Sequence, residues 1–311
     1  MKTPLTVIAG PTASGKTALS VGLCQRLSGE VISADSMQIY KGMDIGTAKP
    51  TPEERGGIPH HMMDIIDPSE NFSAADYCSR AHRIIADIAQ RGKMPVMVGG
   101  TGLYIDSVVN NTEFSGEGEN PEIRRELTEL AERCGNEAVH KMLAEIDPET
   151  AAKYHPNNIR RIIRAVEFYK TTGETLSAHA KKEKNPRYDC VYFCINWDRE
   201  VLYDRINRRV DIMLADGLEN EARGFYEKYA KMNLTAAQGI GYKEFFDYFD
   251  GKCTLEETAE LIKLRSRRYA KRQLTWFRRN KDIYWLTPGD GILDEAMSQI
   301  RARFGDTVSE L

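Results

Sequence analysis

Apolar residues along this chain fall into two rhythms. Short β-like runs, "LTVIAG" (Leu5–Gly10), "EVISAD" (Glu30–Asp35) and "PVMVGG" (Pro95–Gly100), have the length expected of buried strands. Between the first two, Ala18, Leu19, Leu23 and Leu27 recur at helical spacing over residues 16–27. A second helix is predicted over residues 74–90, with Ser73 as its N-cap and Gly92 just past its end. Two later runs, "CVYFCINW" (Cys190–Trp197) and "DIYWLT" (Asp282–Thr287), read as further strands. Strands alternating with helices predict a parallel α/β sheet with helices on both faces.

The rhythm breaks after Asn110. "NNTEFSGEGENP" has no apolar period, and from Pro121 to about Lys184 the pattern is helical throughout. The economical division is an α/β core (residues 1–112 and 188–311) interrupted by an all-helical insertion (113–187). The net charge of −3 excludes a uniformly basic nucleic-acid binder. No apolar run reaches the length of a membrane span, and the N-terminal run is too short for a secretory signal. Six cysteines without a CxxC pair fit a reduced, cytoplasmic protein. Cys190 and Cys194, four apart in a strand, share one face and read as core hydrophobes.

The chemistry starts at "GPTASGKT". Gly10, Pro11, Thr12, Ala13, Ser14, Gly15, Lys16 and Thr17 follow a strand and open a helix, as a phosphate-binding loop must. Backbone N–H groups and the helix N-terminus can wrap phosphate oxygens, Lys16 adds charge, and the Thr17 hydroxyl is placed for Mg²⁺. An apolar strand ending in an acid, which NTP hydrolysis would require, is missing from "PVMVGGTGLY"; the acid instead is Asp35 in "VISADSMQ". Group transfer to a bound acceptor is therefore favoured over hydrolysis, with Asp35 as a metal assistant, a general base or a strand-end cap. In "GGTGLY" the glycines permit close backbone approach and Thr101 offers a hydroxyl, unless the motif is simply a tight turn.

Between Leu261 and Lys281 nine Lys or Arg residues, among them Arg267, Arg268 and Arg272, occur without an acid and with Tyr269, Trp276 and Phe277 interleaved. A stretch of one sign suggests phosphate contacts. Arg160, Arg161 and Arg164 recur at helical spacing in the insertion, as an RNA face or a solvated one. The His60–His61 pair cannot serve one metal from regular structure and reads as a loop, with Met62 and Met63 as packing.

Taken in order, "GPTASGKT", "ADSMQIYKGMDIGTAKP", "HHMMDIIDP", "PVMVGGTGLY", "NIRRIIRAVEFYKTTG", "RVDIMLADGLENEA", "QGIGYKE" and "YAKRQLTWFRR" resemble the bacterial tRNA dimethylallyltransferases from Ala9 to Arg279. The resemblance implies a P-loop NTPase-like core, Mg²⁺ dependence, and transfer of a dimethylallyl group from dimethylallyl diphosphate to N6 of the adenosine 3′ of the tRNA anticodon. It implies Asp35 as general base, Thr101 near the reacting centre, and Gly10–Thr17 with Arg209 on the diphosphate. It further implies Asp35, Ser36, Met37 and Gln38 on the target nucleotide, and Arg124, Ile159, Arg160, Arg161, Ile162 and Ile163 on the anticodon stem-loop. A monomer is expected. A P-loop kinase and a nucleotide-dependent RNA-binding switch remain the alternatives on sequence grounds.

Overall fold

The computed structural model describes residues 2–112, 120–181, 185–229, 232 and 234–305, and divides into two compact units, Thr112–Asn185 and the remainder. The larger unit opens with β1 (Thr3–Ala9), α1 (Lys16–Leu27), β2 (Glu30–Ser33), α2 (Pro52–Arg55), β3 (His60–His61), α3 (Ala74–Gln90), β4 (Pro95–Gly99) and α4 (Gly102–Val109). The smaller contains α5 (Pro121–Cys134), α6 (Asn136–Ile146), α7 (Pro148–Ala151), α8 (Ile159–Thr172) and α9 (Leu176–Ala180). The chain then completes the larger unit with β5 (Tyr188–Ile195), α10 (Arg199–Ala215), α11 (Leu218–Tyr229), α12 (Phe245–Phe249), α13 (Leu255–Phe277), β6 (Tyr284–Leu286) and α14 (Ile292–Phe304).

The six strands form one parallel sheet in the order β3-β2-β4-β1-β5-β6. Period-2 alternation sends the side chains of β1 to two cores. Leu5, Val7 and Ala9 join α3 and α4 on one face, whereas Ile8 joins α1 and α14 on the other. β5 repeats this, with Cys190, Tyr192 and Cys194 on the first face and Val191, Phe193 and Ile195 on the second. Both faces are covered, which is why the strands read as nearly unbroken apolar runs. A third core joins α10 to α13 with Ile39, Tyr40 and Met43. The helical unit has its own core of Leu127, Val139, Leu143, Ile162, Ile163 and Val166.

The helix expected over residues 74–90 forms there, and Ser73 caps it in a reciprocal box with Asp76. The histidine pair differs from expectation. It is an edge strand rather than a loop, with His60 and His61 in register with Val31 and Ile32. Two residues are too few to show a period, so only the neighbouring strand reveals it. His61 Nε2 lies 2.7 Å from Glu30 Oε2, the same carboxylate that accepts from Arg91 Nη2 at 2.8 Å and Lys93 Nζ at 2.8 Å.

Glu30 is 2% exposed at the start of a central strand. The Arg91 bonds, assisted by Lys93 and His61, hold its carboxyl well below the usual carboxylate range against the opposing effect of burial. A depressed folded-state value contributes stability above the unfolded value near pH 4 and loses it as pH falls further. Glu30→Gln is expected to cost about 2 kcal/mol at neutral pH, kept modest because its cationic partners are partly solvated. In urea titrations the gap from the unsubstituted protein should be full above about pH 5 and shrink below about pH 4.

Candidate functional site

In this strand order the connection from β1 leads to β2, two places away on one side, while β5 pairs on the other side of β1. The carboxyl ends of β1, β2 and β4 therefore share a crevice at the point where the winding reverses, where open α/β sheets bind ligands. Three segments emerge there: Gly10–Gly15 after β1, Asp35 after β2 and Thr101 after β4.

The first segment turns through positive φ at Gly10 (152°), Ala13 (63°) and Gly15 (94°), the alternation that makes backbone N–H groups converge on an anion. Its carbonyls are held from outside. Trp197 Nε1 donates to Ser14 O at 2.9 Å, and Arg205 Nε donates to Ala13 O at 2.9 Å while its guanidinium lies 4.5 Å from the centre of the Trp197 ring. On the other side Thr12 N donates to Gln273 Oε1 at 3.0 Å. Lys16 Nζ donates to Pro11 O at 2.7 Å. Burial, then the neighbouring charge of Arg209, bring the Lys16 ammonium down to about 8, with Asp35 opposing. The structure thus brings Arg209 and Asp35, expected from the sequence, within electrostatic reach of the loop lysine.

Asp35 Oδ1 accepts from Met37 N at 2.9 Å, the local cap considered for it. Among the described residues no hydrogen bond engages Oδ2, and the carboxylate charge is felt by Lys16, Tyr77, Tyr104 and Tyr269. Thr101 Oγ1 accepts from Ser36 N at 3.0 Å and Thr101 N donates to Ala34 O at 3.1 Å, so the β2 and β4 ends are stitched together. That approach depends on Gly99, where a Cβ would stand 2.1 Å from Ala34 O. Burial, with Asp35 nearby, pushes the Tyr269 phenol up to about 12, so it remains neutral.

The remaining expected residues divide. Ser36 and Met37 flank Asp35 and are half-buried. The Gln38 amide is engaged at both ends: Oε1 accepts from Ser33 Oγ at 3.0 Å and Nε2 donates to Thr47 O and Ala48 O, each at 3.2 Å. It braces a loop whose N–H groups at Asp44, Ile45 and Gly46 all donate to the Glu221 carboxylate. On α13, Lys263 pairs with Asp211 and Glu260, and Arg265 pairs with Glu244, so part of the one-sign stretch is neutralised by acids outside it. Arg267 Nη1 donates to Asn207 Oδ1 at 2.5 Å, whereas Arg268 and Arg272 are exposed. In the helical unit Arg160 and Arg161 are exposed and Ile159 half-buried. Ile162 and Ile163 are core residues there, and Arg124 Nε is bonded to the buried Glu167 carboxylate at 3.0 Å. Sequence reasoning did not single out Trp197, Arg205 or Gln273 as supports of the loop, because no local motif signals a partner 183 to 261 residues away.

No group of three or more His, Cys, Asp or Glu residues that could hold a metal occurs among the described residues, and none of their helices is long and apolar enough to cross a membrane. The Thr17 hydroxyl in the first turn of α1, with Asp35 across the crevice, fits a hard divalent cation shared with ligand phosphates and water rather than one held in a protein cage.

A diphosphate should bind the loop most tightly while Lys16 is charged. The affinity advantage of the unsubstituted protein over Lys16→Met for inorganic diphosphate, measured by calorimetry without metal, should narrow as pH rises above 8, by up to about tenfold per pH unit.

Residues 38–280 match the family model described as IPP transferase. The tRNA dimethylallyltransferase of Bacillus subtilis (strain 168) is 50% identical over 290 residues, covering 92% of each chain. That of Halalkalibacterium halodurans is 48% identical over 302 residues, covering 96% of each. Among solved structures, the full-length tRNA isopentenylpyrophosphate transferase from Bacillus halodurans superposes with a TM-score of 0.73 at 46% identity, covering 99% of this chain and 98% of that one. A eukaryotic dimethylallyltransferase acting on tRNA gives 0.80 at 33% identity, over 98% of this chain and 77% of its own. A P-loop-like parallel sheet, its crevice and these likenesses agree, and the chain belongs to the IPP transferase family of tRNA dimethylallyltransferases.

Proposed function

We propose that this protein transfers the dimethylallyl group of dimethylallyl diphosphate to N6 of the adenosine immediately 3′ of the anticodon in tRNA. The observation that carries this reading is the meeting of a phosphate-binding loop with Asp35 and Thr101 in one crevice, in a chain whose relatives carry that activity in their names. The donor's diphosphate lies along Gly10–Thr17, with Lys16 and Arg209 facing its charge. N6 attacks C1 of the allylic group as the C1–O bond breaks. The proton lost from N6 passes to Asp35, and the electron pair of the broken bond leaves with the diphosphate.

Asp35 is suited to the base role because its Oδ1 is anchored to Met37 N, which fixes the direction of the other oxygen. Thr101 accepts from Ser36 N and holds the segment carrying Asp35 against the end of β4. Lys16, the backbone N–H groups of the loop and the start of α1 stabilise the developing negative charge. When bound, Mg²⁺ on Thr17 supplies further charge neutralisation to the leaving diphosphate. An adenosine in an unpaired loop can be splayed into the crevice at low cost.

The exposed Arg268 and Arg272 of α13 serve the tRNA phosphates, and so do Arg160 and Arg161 of the helical unit. Gln38 and Arg124, engaged within the protein, act by shaping their surroundings. Ile162 and Ile163 act the same way, as core residues. The reading takes the protein as a monomer that acts on tRNA in the cytoplasm.

Incubation with unmodified tRNA, labelled dimethylallyl diphosphate and Mg²⁺, followed by nucleoside analysis, should give label on adenosine. ATP-dependent phosphorylation without prenylated adenosine would instead identify a kinase. Asp35→Ala should lower turnover by about 10²- to 10⁴-fold with tRNA affinity nearly unchanged. Arg268→Ala with Arg272→Ala should weaken tRNA binding and reduce the slope of log Kd against log salt by about 1 to 2.

A further inference from the structure

One buried polar side chain touches both halves of the crevice and has no part in the chemistry so far. Gln273, 5% exposed on α13, receives Thr12 N on Oε1 at 3.0 Å and donates Nε2 to Gly100 O at 3.0 Å. The two ends of the amide are therefore not interchangeable. An N–H of the phosphate loop requires the oxygen, and the carbonyl after β4 requires the nitrogen. Both partners are backbone groups, so the bridge sets the distance between two main-chain segments rather than the pose of a side chain.

The surroundings are built to this amide. At Gly100 a Cβ would stand 2.0 Å from Gln273 Nε2, so an alanine there would displace it. One turn earlier on α13, Tyr269 places its hydroxyl against the side chains of Thr101 and Gln273. One turn later, Trp276 packs where a Cβ at Gly102 would be, 2.2 Å from its Cδ1, and donates Nε1 to Asp106 Oδ2 at 2.8 Å. Each of Tyr269, Gln273 and Trp276 thus meets a different part of the segment from Gly100 to Asp106. Gln273 alone of the three also bonds to the phosphate loop.

We infer that Gln273 is a positioning residue for the transfer reaction, holding the loop that grips the leaving diphosphate at fixed separation from the turn that carries Thr101 and, through Ser36, Asp35. The inference rests on the reaction proposed above. In that reaction the bond to the diphosphate breaks while the bond to N6 forms, so the two loops must be in register at one moment. Thr12 N and Gly100 O are both taken up by the Gln273 amide, so Gln273 acts through the two segments they belong to. Its loss is expected to appear in the turnover of bound substrates more than in their affinity.

The test compares Gln273→Met, Gln273→Glu and Gly100→Ala with the unsubstituted protein. Inorganic diphosphate binding and tRNA binding are measured separately from single-turnover transfer at saturating donor and tRNA. Gln273→Met should slow transfer about 100-fold while each affinity changes by less than about threefold. Gly100→Ala should behave similarly, because it evicts the amide without removing it. Gln273→Glu supplies the second readout. A protonated glutamic acid can accept from Thr12 N and donate to Gly100 O as the amide does, whereas a carboxylate opposes the carbonyl. Its rate relative to the unsubstituted protein should therefore recover as pH falls, a pattern that loss of packing would not produce.

Transfer within twofold of normal in Gln273→Met would overturn the inference. So would a defect confined to tRNA affinity, or a pH-independent ratio for Gln273→Glu. If the unsubstituted protein transferred no label, the proposed reaction itself would fail. Diphosphate and tRNA binding unchanged in all three variants would not then rescue the positioning role.

Discussion

Three strand ends can share one crevice only if their backbones come closer than ordinary side chains allow. β4 lies between β1 and β2, so its exit must pass the exits of both neighbours. At Gly99 the passage leaves no room for a methyl group against Ala34. From that contact follow the bond between Thr101 N and Ala34 O, the capture of Ser36 N by Thr101, and the placing of Asp35 opposite Lys16. The geometry of the proposed site is in this sense a result of sheet closeness, and the polar side chains occupy positions that the main chain has already set.

Electrostatics at the crevice is asymmetric in a useful way. The phosphate-loop side collects Lys16 and Arg209, close enough that the guanidinium disfavours the charge on the lysine. A diphosphate bound as proposed would relieve that repulsion and make partners of two cations that stand close in the free protein. The acceptor side has one carboxylate among three tyrosines, whose phenols burial keeps neutral. Opposite charges thus face each other across the path along which a carbon would move from diphosphate to amine.

How much of this was legible in the sequence depends on how local each cause is. The strands at Leu5, Pro95 and Cys190, the Ser73 cap and the phosphate loop announce themselves within a few residues, because burial on both faces and backbone capping are short-range demands. β3 did not, because its two residues have meaning only beside β2. Lys263 and Arg265 looked like members of a free basic stretch, but Asp211 of α10 and Glu244, just before α12, pair with them. Ile162 and Ile163 lie in a motif that reads as RNA contact, yet helical periodicity turns both inward. The supports of the phosphate loop, Trp197, Arg205 and Gln273, were the least visible, since nothing near them in the chain indicates what they hold.

The pairing of β1 with β5 has a consequence for how the molecule is made. β1 stands in the middle of the sheet, but one of its two neighbours arrives only after the helical unit has been synthesised. A ribosome working at about 5–20 residues per second needs on the order of ten seconds to cross that interval. Throughout it, an apolar strand edge beside the phosphate loop has no partner, a condition that invites pairing with other chains. The helical unit, whose core is drawn from its own residues, can finish folding during the same wait. The nascent chain can thus complete its helical unit before its sheet, and a product arrested between them would leave the open edge of β1 uncovered.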